Sequence, residues 1–206
     1  MKLRVSVAQC AFLLMLTLCA LGLLLLPSMS FAQQRFVVQP VAEKKVTQLP
    51  PAPWYWRIEN FPTLAQAQSA AGPTSLAAEV SGRVWLFTLG PAGGSTPGAT
   101  KVAEIGPVPP INASEYLLRI NHSFGPPGAK TPVHSHPGSE TFYVLAGELS
   151  QKSPYGMSHV EAGQAMAGHG PDMPMEVSSS GTNDLDALVM FVVDATKPFS
   201  PPAKLE

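Results

Sequence analysis

Cysteine is almost absent from this chain of 206 residues. The two that it has, Cys10 and Cys19, lie in an apolar stretch close to the N-terminus. If that stretch is removed on export, the remaining chain has no thiol, and disulfide bonds, thiolate metal sites and cysteine nucleophiles are excluded. An exported domain without disulfides is common in a bacterial periplasm and less typical of small extracellular animal domains.

Charge is also scarce, and neither sign dominates. Charged residues make up 13% of the chain, with 13 basic and 14 acidic side chains. Two of the basic residues, Lys2 and Arg4, fall in the first 32 positions, which contain no acid; the rest therefore carries 11 basic and 14 acidic residues, a net charge of −3. No basic patch stands out, so we expect no nucleic-acid partner.

The first 32 residues indicate a signal peptide. A basic start precedes the apolar run 11–26, and Ser30-Phe31-Ala32 supplies small residues at the two positions that signal peptidase inspects. We predict cleavage after Ala32, a periplasmic or secreted location and no stable membrane span. The alternative is a retained anchor, but the apolar run is shorter than the ~20 residues of a spanning helix. Lipoprotein processing at Cys19 is disfavoured because the bulky Leu18 precedes it.

Composition divides the remaining chain into three parts. Prolines at positions 40, 50, 51 and 53 predict an irregular N-terminal arm over 33–73, with one short helix over 63–71 that ends at Gly72-Pro73. Residues 74–196 predict an all-β domain, and 197–206 a Pro-rich tail. Short β-branched and aromatic segments bounded by turn formers predict its strands: 75–80, 83–89, 115–121, 141–146, 148–151, 156–160, 164–167 and 187–193.

One short stretch holds metal-binding residue types in ligand spacing. His134 and His136 are two residues apart, so in an extended strand both side chains point to the same face. The turn formers at 137–139 let the chain double back, after which Glu140 opens the next strand on the same side. Two neutral imidazoles and a carboxylate suit Fe, Mn, Zn, Ni or Cu, and they leave coordination positions for substrate or water. The spacing predicts a divalent-metal site.

The pattern G-x5-H-x-H-x3-E-x6-G, from Gly128 to Gly147, matches the first motif of the cupin superfamily at every defined position. On this motif and the strand pattern over 115–194, the chain resembles that superfamily. The resemblance implies a double-stranded β-helix, that is, a jelly-roll or cupin barrel, which commonly forms a homodimer. It also implies activities such as those of dioxygenases, isomerases and decarboxylases on small molecules. The alternative is a solvated, His-containing hairpin in another β domain.

The strand in the second half of this motif is apolar on both sides. If Glu140 points inward, so do Phe142, Val144 and Ala146, while the residues between them face the other way. Both sets are largely apolar, which favours a strand covered on both faces, by another strand layer or by a dimer partner. We expect the inward residues and two methionines to line an apolar substrate pocket: Phe142, Val144, Met166 and Met175.

The second cupin motif, which resembles G-x5-P-x-G-x2-H, is degenerate here. Its opening Gly163 is present, but Pro174 or Met175 stands where the resemblance implies a fourth, histidine ligand. We prefer Met175, which follows a proline; its soft thioether suits Fe(II) or Mn(II) poorly. Three interpretations stay open. His169, a few residues upstream, replaces the missing ligand; the first motif holds the metal alone with water; or the site binds metal weakly or not at all.

Two functions are compatible with these residues. The first is a metal-dependent enzyme of the dioxygenase or isomerase type that acts on a small molecule, with Fe, Mn or Zn favoured over Ni or Cu. In it no residue stands out as a general acid or base, apart from His169. The second is a non-catalytic small-molecule-binding module with a structural metal or none. One fold hosts both behaviours, so the fold class does not choose between them.

Overall fold

Strands make up most of the structure, a computed structural model that describes residues 35–205. The predicted signal peptide and its cleavage site lie outside the described residues. Between residues 35 and 205, no helix is long and apolar enough to cross a membrane. The predicted all-β class is confirmed.

The elements follow one another as β1 (Val37–Val46), β2 (Trp54–Phe61), α1 (Leu64–Ala70), β3 (Ser75–Val80), β4 (Arg83–Gly90), β5 (Thr100–Val108), β6 (Tyr116–Gly125), β7 (Gly138–Ala146), β8 (Glu148–Ser153), β9 (Gly156–Glu161), β10 (Ala165–Ala167), β11 (Glu176–Ser179) and β12 (Leu185–Asp194).

Two facing sheets enclose the core of the jelly roll. The large sheet has the order β1-β6-β12-β7-β10, and the small sheet has the order β11-β8-β9. Neighbouring strands in both sheets are antiparallel. Side chains at alternate positions of each strand meet between the sheets, as the two-residue period of a strand requires. This inner core consists of Phe142, Val144, Leu149, Val160, Met175, Val177, Leu185, Ala187, Val189, Phe191 and Val193.

A third sheet, of order β3-β4-β2-β5, covers the outer face of the large sheet. Its aromatic side chains Trp56, Trp85 and Phe87 pack in one buried cluster with Leu118 of β6 and Met190 of β12. The central strands of the large sheet are therefore buried on both faces, as the apolar pattern predicts. The cover is another strand layer of the same chain, so this burial needs no second copy. The homodimer stays a prediction.

The N-terminal arm differs from the expectation, because 33–73 contains two regular strands. The prolines do not exclude strand β1, since it is an edge strand and Pro40 lies beside a register shift. A proline without its N–H is tolerated at an edge or a bulge. The other three prolines fall in the loop before β2, whose Trp54 and Trp56 are buried. The arm is thus a structural part of two sheets: β1 belongs to the large sheet and β2 to the third sheet.

The predicted short helix is confirmed as α1. Thr63 precedes it in extended conformation, and its hydroxyl oxygen accepts a hydrogen bond from the backbone N–H of Gln66 at 3.3 Å. This cap satisfies one of the N–H groups that the first helical turn leaves free. Ala67 is fully buried and packs against Phe61 and Leu86, which attaches the helix to the third sheet.

Candidate functional site

A cavity of about 440 Å³ opens on the inner side of the large sheet. This volume lies within the range of typical small-molecule sites. Strands β6, β7 and β12 line one side, and the segment 131–136 and the C-terminal tail complete the wall. Most of the lining is aromatic or aliphatic, including Phe36, Phe142, Val177, Val189, Phe191 and Phe199. Its polar members are Arg119, Asn121, Ser123, Thr131, His134, His136, Glu140 and Ser200.

The three expected metal ligands come from two sheets and from the segment that joins them. His134 extends the small sheet, because its backbone N–H donates to the carbonyl of Met175 at 2.9 Å and its own carbonyl accepts from the N–H of Met175 at 2.8 Å. Glu140 lies in β7 of the large sheet, and His136 lies on the crossing segment between them. The chain therefore gathers all three side chains at the end of the barrel where it passes from one sheet to the other.

The expected turn at 137–139 differs in the structure. Strand β7 already begins at Gly138, which pairs with Val193, and Ser139 pairs with Val192 of β12. The strand extends further than predicted because Gly138 lets the backbones approach closely: a Cβ there would be 2.5 Å from the Cα of Val193. The glycine therefore serves a close strand contact and not a chain reversal.

Both histidines are held as the tautomer that leaves Nε2 free. His136 Nδ1 lies 2.7 Å from the backbone oxygen of Phe199, and His134 Nδ1 lies 2.9 Å from that of Pro132. A carbonyl oxygen only accepts hydrogen bonds, so each Nδ1 carries the proton and each Nε2 presents a lone pair. Such backbone contacts are typical of metal-ligating histidines. Burial lowers the pKa of His136 to about 4, with smaller contributions from His134 and Arg119, so His136 is neutral at neutral pH.

Glu140 is a buried carboxyl group without a cationic partner among the described residues. Its side chain is 2% exposed. Burial raises its pKa to about 8, although a hydrogen bond from Gln151 opposes the shift. The nearest imidazole is that of His136, whose Nε2 lies 3.8 Å from Glu140 Oε2. A buried carboxylate of this kind is strongly stabilised by a cation placed beside it.

Met175 and Gln151 occupy the region where the fourth cupin ligand is expected. Met175 pairs directly with His134 and is almost fully buried. Gln151 in β8 donates from Nε2 to Glu140 Oε1 and also to Met175 Sδ, at 3.2 Å for the latter. Within residues 35–205, the buried Oε1 of Gln151 has no hydrogen-bond partner. The glutamine therefore offers a free acceptor next to the carboxylate.

Of the other predicted site residues, Phe142 lines the cavity and the remaining four are not part of its lining. Val144 and Met175 are buried in the inner core, and Met166 packs against that core. His169 lies beside Tyr155, with 5.4 Å between the ring centres, and it is not part of the lining. The structure thus brings His134, His136 and Glu140 together with Phe142, but it does not bring His169 to them.

Sequence reasoning missed several polar residues of the site, and three of them contribute nitrogen or amide groups to it. Arg119 and Asn121 line the cavity from β6, and Gln151 contacts Glu140 from β8. All three lie in segments that were predicted as strands, and the alternating pattern places Gln151 on the same face as the buried Leu149. A polar residue in the apolar register of a strand was the available signal for Gln151.

The C-terminal tail closes one side of the cavity. The backbone N–H of Ser135 donates to the carbonyl of Pro201 at 3.1 Å, and that of Ala203 donates to Val133 at 3.2 Å. The ring of Phe199 packs 4.8 Å from that of His136, measured between centres. The predicted Pro-rich tail contains no regular strand, yet it is attached along the first motif.

The three side chains are of the types that bind a divalent metal, but their present positions do not coordinate one. Two imidazole Nε2 atoms and a buried carboxylate are ligands suited to Fe, Mn or Zn, and Gln151 adds a free amide oxygen. In the part of the chain that the structure describes, no three His, Cys, Asp or Glu side chains stand in a coordinating arrangement. The ring centres of His134 and His136 are 4.9 Å apart, at an interplanar angle of 81°. One of the three side chains must therefore turn to share an ion with the others.

No family model matches the sequence, and no curated protein matches it. Among solved structures, a Klebsiella pneumoniae protein with a double-stranded β-helix domain is 22% identical; the match covers 42% of this chain and 71% of the other, with a TM-score of 0.36. A cupin domain from Bordetella pertussis is 17% identical, covering 36% and 80% with a TM-score of 0.32. The DMSP lyase DddQ from Ruegeria pomeroyi is 20% identical, covering 42% and 43% with a TM-score of 0.36.

Of these three structures, one is described as a double-stranded β-helix domain, one as a cupin domain and one as a DMSP lyase. The chain spans less than two thirds of the length of several of the proteins it matches, the lyase among them.

Proposed function

We propose that this protein binds a divalent metal through His134, His136 and Glu140, and that it acts on a small molecule in the adjoining cavity as a metal-dependent oxygenase or isomerase. One observation carries the proposal. Both imidazoles bond a backbone carbonyl through Nδ1 and so leave Nε2 free, beside a buried carboxylate that has no cationic partner within residues 35–205. A metal ion uses the free lone pairs and offsets the cost of the buried charge.

The chain's own residues prepare the site for such an ion. Gln151 holds one oxygen of Glu140, and this leaves the other oxygen on the side of His136. Phe199 holds the His136 ring in place and, together with Phe142 and Phe191, gives the cavity apolar walls that exclude water. When bound, a divalent metal in such a site polarises a carbonyl group or binds oxygen together with a chelating substrate.

The ligand types favour Fe, Mn or Zn and also accept Ni or Cu. Nitrogen and carboxylate donors are shared by all five metals, so geometry and supply decide among them. Gln151 links the thioether of Met175 to the carboxyl group of Glu140. Its Nε2 donates to both groups and lies 3.2 Å from the sulfur of Met175. A soft sulfur in that position favours copper if it turns towards the ion. The predicted signal peptide places the proposed activity in the periplasm or outside the cell.

The second candidate is a non-catalytic binding module with the same cavity. Two observations favour it: the lining is mainly apolar, and the place of the fourth ligand is filled by Met175 and Gln151. In this case a small molecule binds by shape and apolar contact, and a metal is structural or absent. The two candidates differ in whether an ion with exchangeable water is held at Glu140.

Elemental analysis after reconstitution tests the proposal. The wild-type protein and the variants His134→Ala, His136→Ala and Glu140→Gln are incubated separately with Fe(II), Mn(II), Zn(II), Ni(II) and Cu(II), then desalted. His159→Ala is the matched control, because His159 is an exposed histidine that pairs with Glu148 away from the cavity. We expect about one ion per chain in the wild type and the control, and a loss in the three site variants. A wild type that retains none of the five ions contradicts the metal site and favours the binding module.

A further inference from the structure

Arg119 supplies the single guanidinium or ammonium group among the described residues of the cavity lining. It lies in β6 at the same face as Asn121 and Ser123, which also line the cavity. Leu118 and Ile120, at the alternate positions, face the third sheet. Strand alternation therefore directs the Arg119 side chain to the cavity side, where it is 19% exposed.

Two contacts hold the guanidinium group of Arg119. Its Nε donates to Asn121 Oδ1 at 3.0 Å, and its Cζ lies 4.3 Å from the centre of the Phe199 ring. Among residues 35–205, the bond from Nε to Asn121 is the side-chain hydrogen bond that Arg119 donates. Partly buried donors without a partner are unfavourable, so this end of the cavity favours a ligand that accepts hydrogen bonds.

The charge of Arg119 is poorly neutralised by the protein. Glu43 Oε2 lies 3.8 Å from its Nε, but the Glu43 side chain is 59% exposed, and such surface pairs contribute little. Glu140 is the carboxyl group of the described cavity lining, and the proposed function assigns it to the metal. A bound divalent ion adds further positive charge to the same cavity. Because a cation in a partly dry cavity is stabilised by an opposite charge, the site favours an anionic ligand.

The shape of the site favours a carboxylate among the anions. An arginine fork presents two parallel N–H groups that match the two oxygens of a planar carboxylate. The amide of Asn121 provides a further donor beside it. The rest of the lining is aromatic and aliphatic, so the remainder of the ligand is apolar. A cavity of about 440 Å³ lies in the lower part of the range of small-molecule sites, so it has room for an aromatic ring or an alkyl chain beside the carboxylate.

We infer that the cavity takes a small carboxylate with an apolar body, whose carboxylate group is bound by Arg119 and Asn121. This inference rests on the proposed function in assigning the ligand to the same cavity as the metal. It names the substrate class of that site, and it makes Arg119 a specificity-determining residue.

The test compares carboxylates with their neutral amides. The probes are benzoate and benzamide, phenylacetate and phenylacetamide, and hexanoate and hexanamide, each titrated calorimetrically into the protein purified from the full chain. The variants are Arg119→Met, which removes the charge, and Arg119→Lys, which keeps the charge without the fork. Arg83→Met is the matched control, since Arg83 also lies over an aromatic ring, that of Trp85, but does not line the cavity. Every titration is repeated in EDTA.

We expect at least one carboxylate to bind tenfold or more tightly than its amide in the wild type and in Arg83→Met. In Arg119→Met this preference is expected to disappear because carboxylate binding weakens far more than amide binding does, and in Arg119→Lys it is expected to fall to an intermediate value. The preference persists in EDTA if Arg119 is its source, even in a protein that takes up no metal. A preference that EDTA abolishes and Arg119→Met leaves intact overturns the inference, because the metal then binds the carboxylate. Equal binding of acids and amides throughout also overturns it.

Discussion

His136 and Phe199 are joined by a hydrogen bond of 2.7 Å between the imidazole Nδ1 and a backbone carbonyl oxygen. The two residues are 63 positions apart in the chain, so the bond connects the first motif to the C-terminal tail. Because a carbonyl accepts and never donates, the bond also sets the imidazole tautomer. The last strand is therefore followed by a segment that takes part in the site.

Removal of the tail from residue 198 onward is expected to weaken metal binding by about 10- to 100-fold, the usual effect of losing an outer hydrogen-bond partner of a ligating histidine. The control is removal of residues 204–206 alone, which keeps the bonds from Ser135 to Pro201 and from Ala203 to Val133. Phe199→Ala keeps the accepting carbonyl and is expected to have a smaller effect. Competition with a chelating dye measures the metal affinity of each variant. Equal affinity in the long truncation and the control contradicts the role of the tail.

The pKa values of Glu140 and His136 predict how stability without metal depends on pH. The carboxyl pKa is raised from 4.5 to about 8, so its contribution to stability is lost as pH rises between those values. The imidazole pKa is lowered from 6.5 to about 4, so its contribution is lost as pH falls between those values. The two effects cancel between pH 4.5 and 6.5. Above 6.5 the carboxyl effect remains, and the free energy of unfolding should fall by about 1–2 kcal/mol up to pH 8.

Urea unfolding in EDTA at a series of pH values measures this profile. Glu140→Gln has no ionisable group at this position, so the decline above pH 6.5 should vanish in that variant. With metal present, binding must displace the carboxyl proton, and the apparent metal affinity should therefore rise with pH up to about 8. A metal affinity that is constant from pH 6 to 8 would show that Glu140 is already ionised without metal.

Gly138 is predicted to tolerate no side chain. A Cβ at this position would lie 2.5 Å from Val193 Cα and would also collide with the backbone oxygen of Val192. Gly138→Ala should lower the free energy of unfolding by about 1–3 kcal/mol or more, as overpacking does. Gly90→Ala is the control, since nothing lies within 4 Å of a Cβ there. Urea unfolding of both variants at one pH gives the comparison, and similar midpoints would refute the close contact.

The sequence predicted the strands that are bounded by turn formers and missed four others. Strands β1 and β5 contain prolines, which are compatible with a strand only at an edge or a bulge. Edge position depends on how the sheets assemble, and a single sequence does not reveal it. β2 follows a cluster of prolines, and β11, with the sequence EVSS, is too short and polar to be recognised. In each case the segment forms a strand because of its pairing with strands distant in sequence, although its local sequence does not favour one.

The site was predictable in part for a related reason. The spacing of His134, His136 and Glu140 is local, and all three side chains line the cavity. Arg119 and Gln151 are distant in sequence from that motif, and only the pairing of the sheets shows that they face it. Met175 was expected to line the pocket, but it packs in the inner core, next to His134 in the backbone pairing. Whether these residues hold a metal stays a prediction.

The jelly roll and the third sheet, which β2 to β5 form, depend on each other for their stability. Strands β6 and β12 contribute alternate side chains to two separate cores, so loosening one core exposes the back of the other. Backbone amides of these two strands should exchange their hydrogens last in the molecule, and at equal rates, because only global opening releases them. A fragment that starts after β5 would present a continuous apolar sheet surface to solvent and would associate with itself.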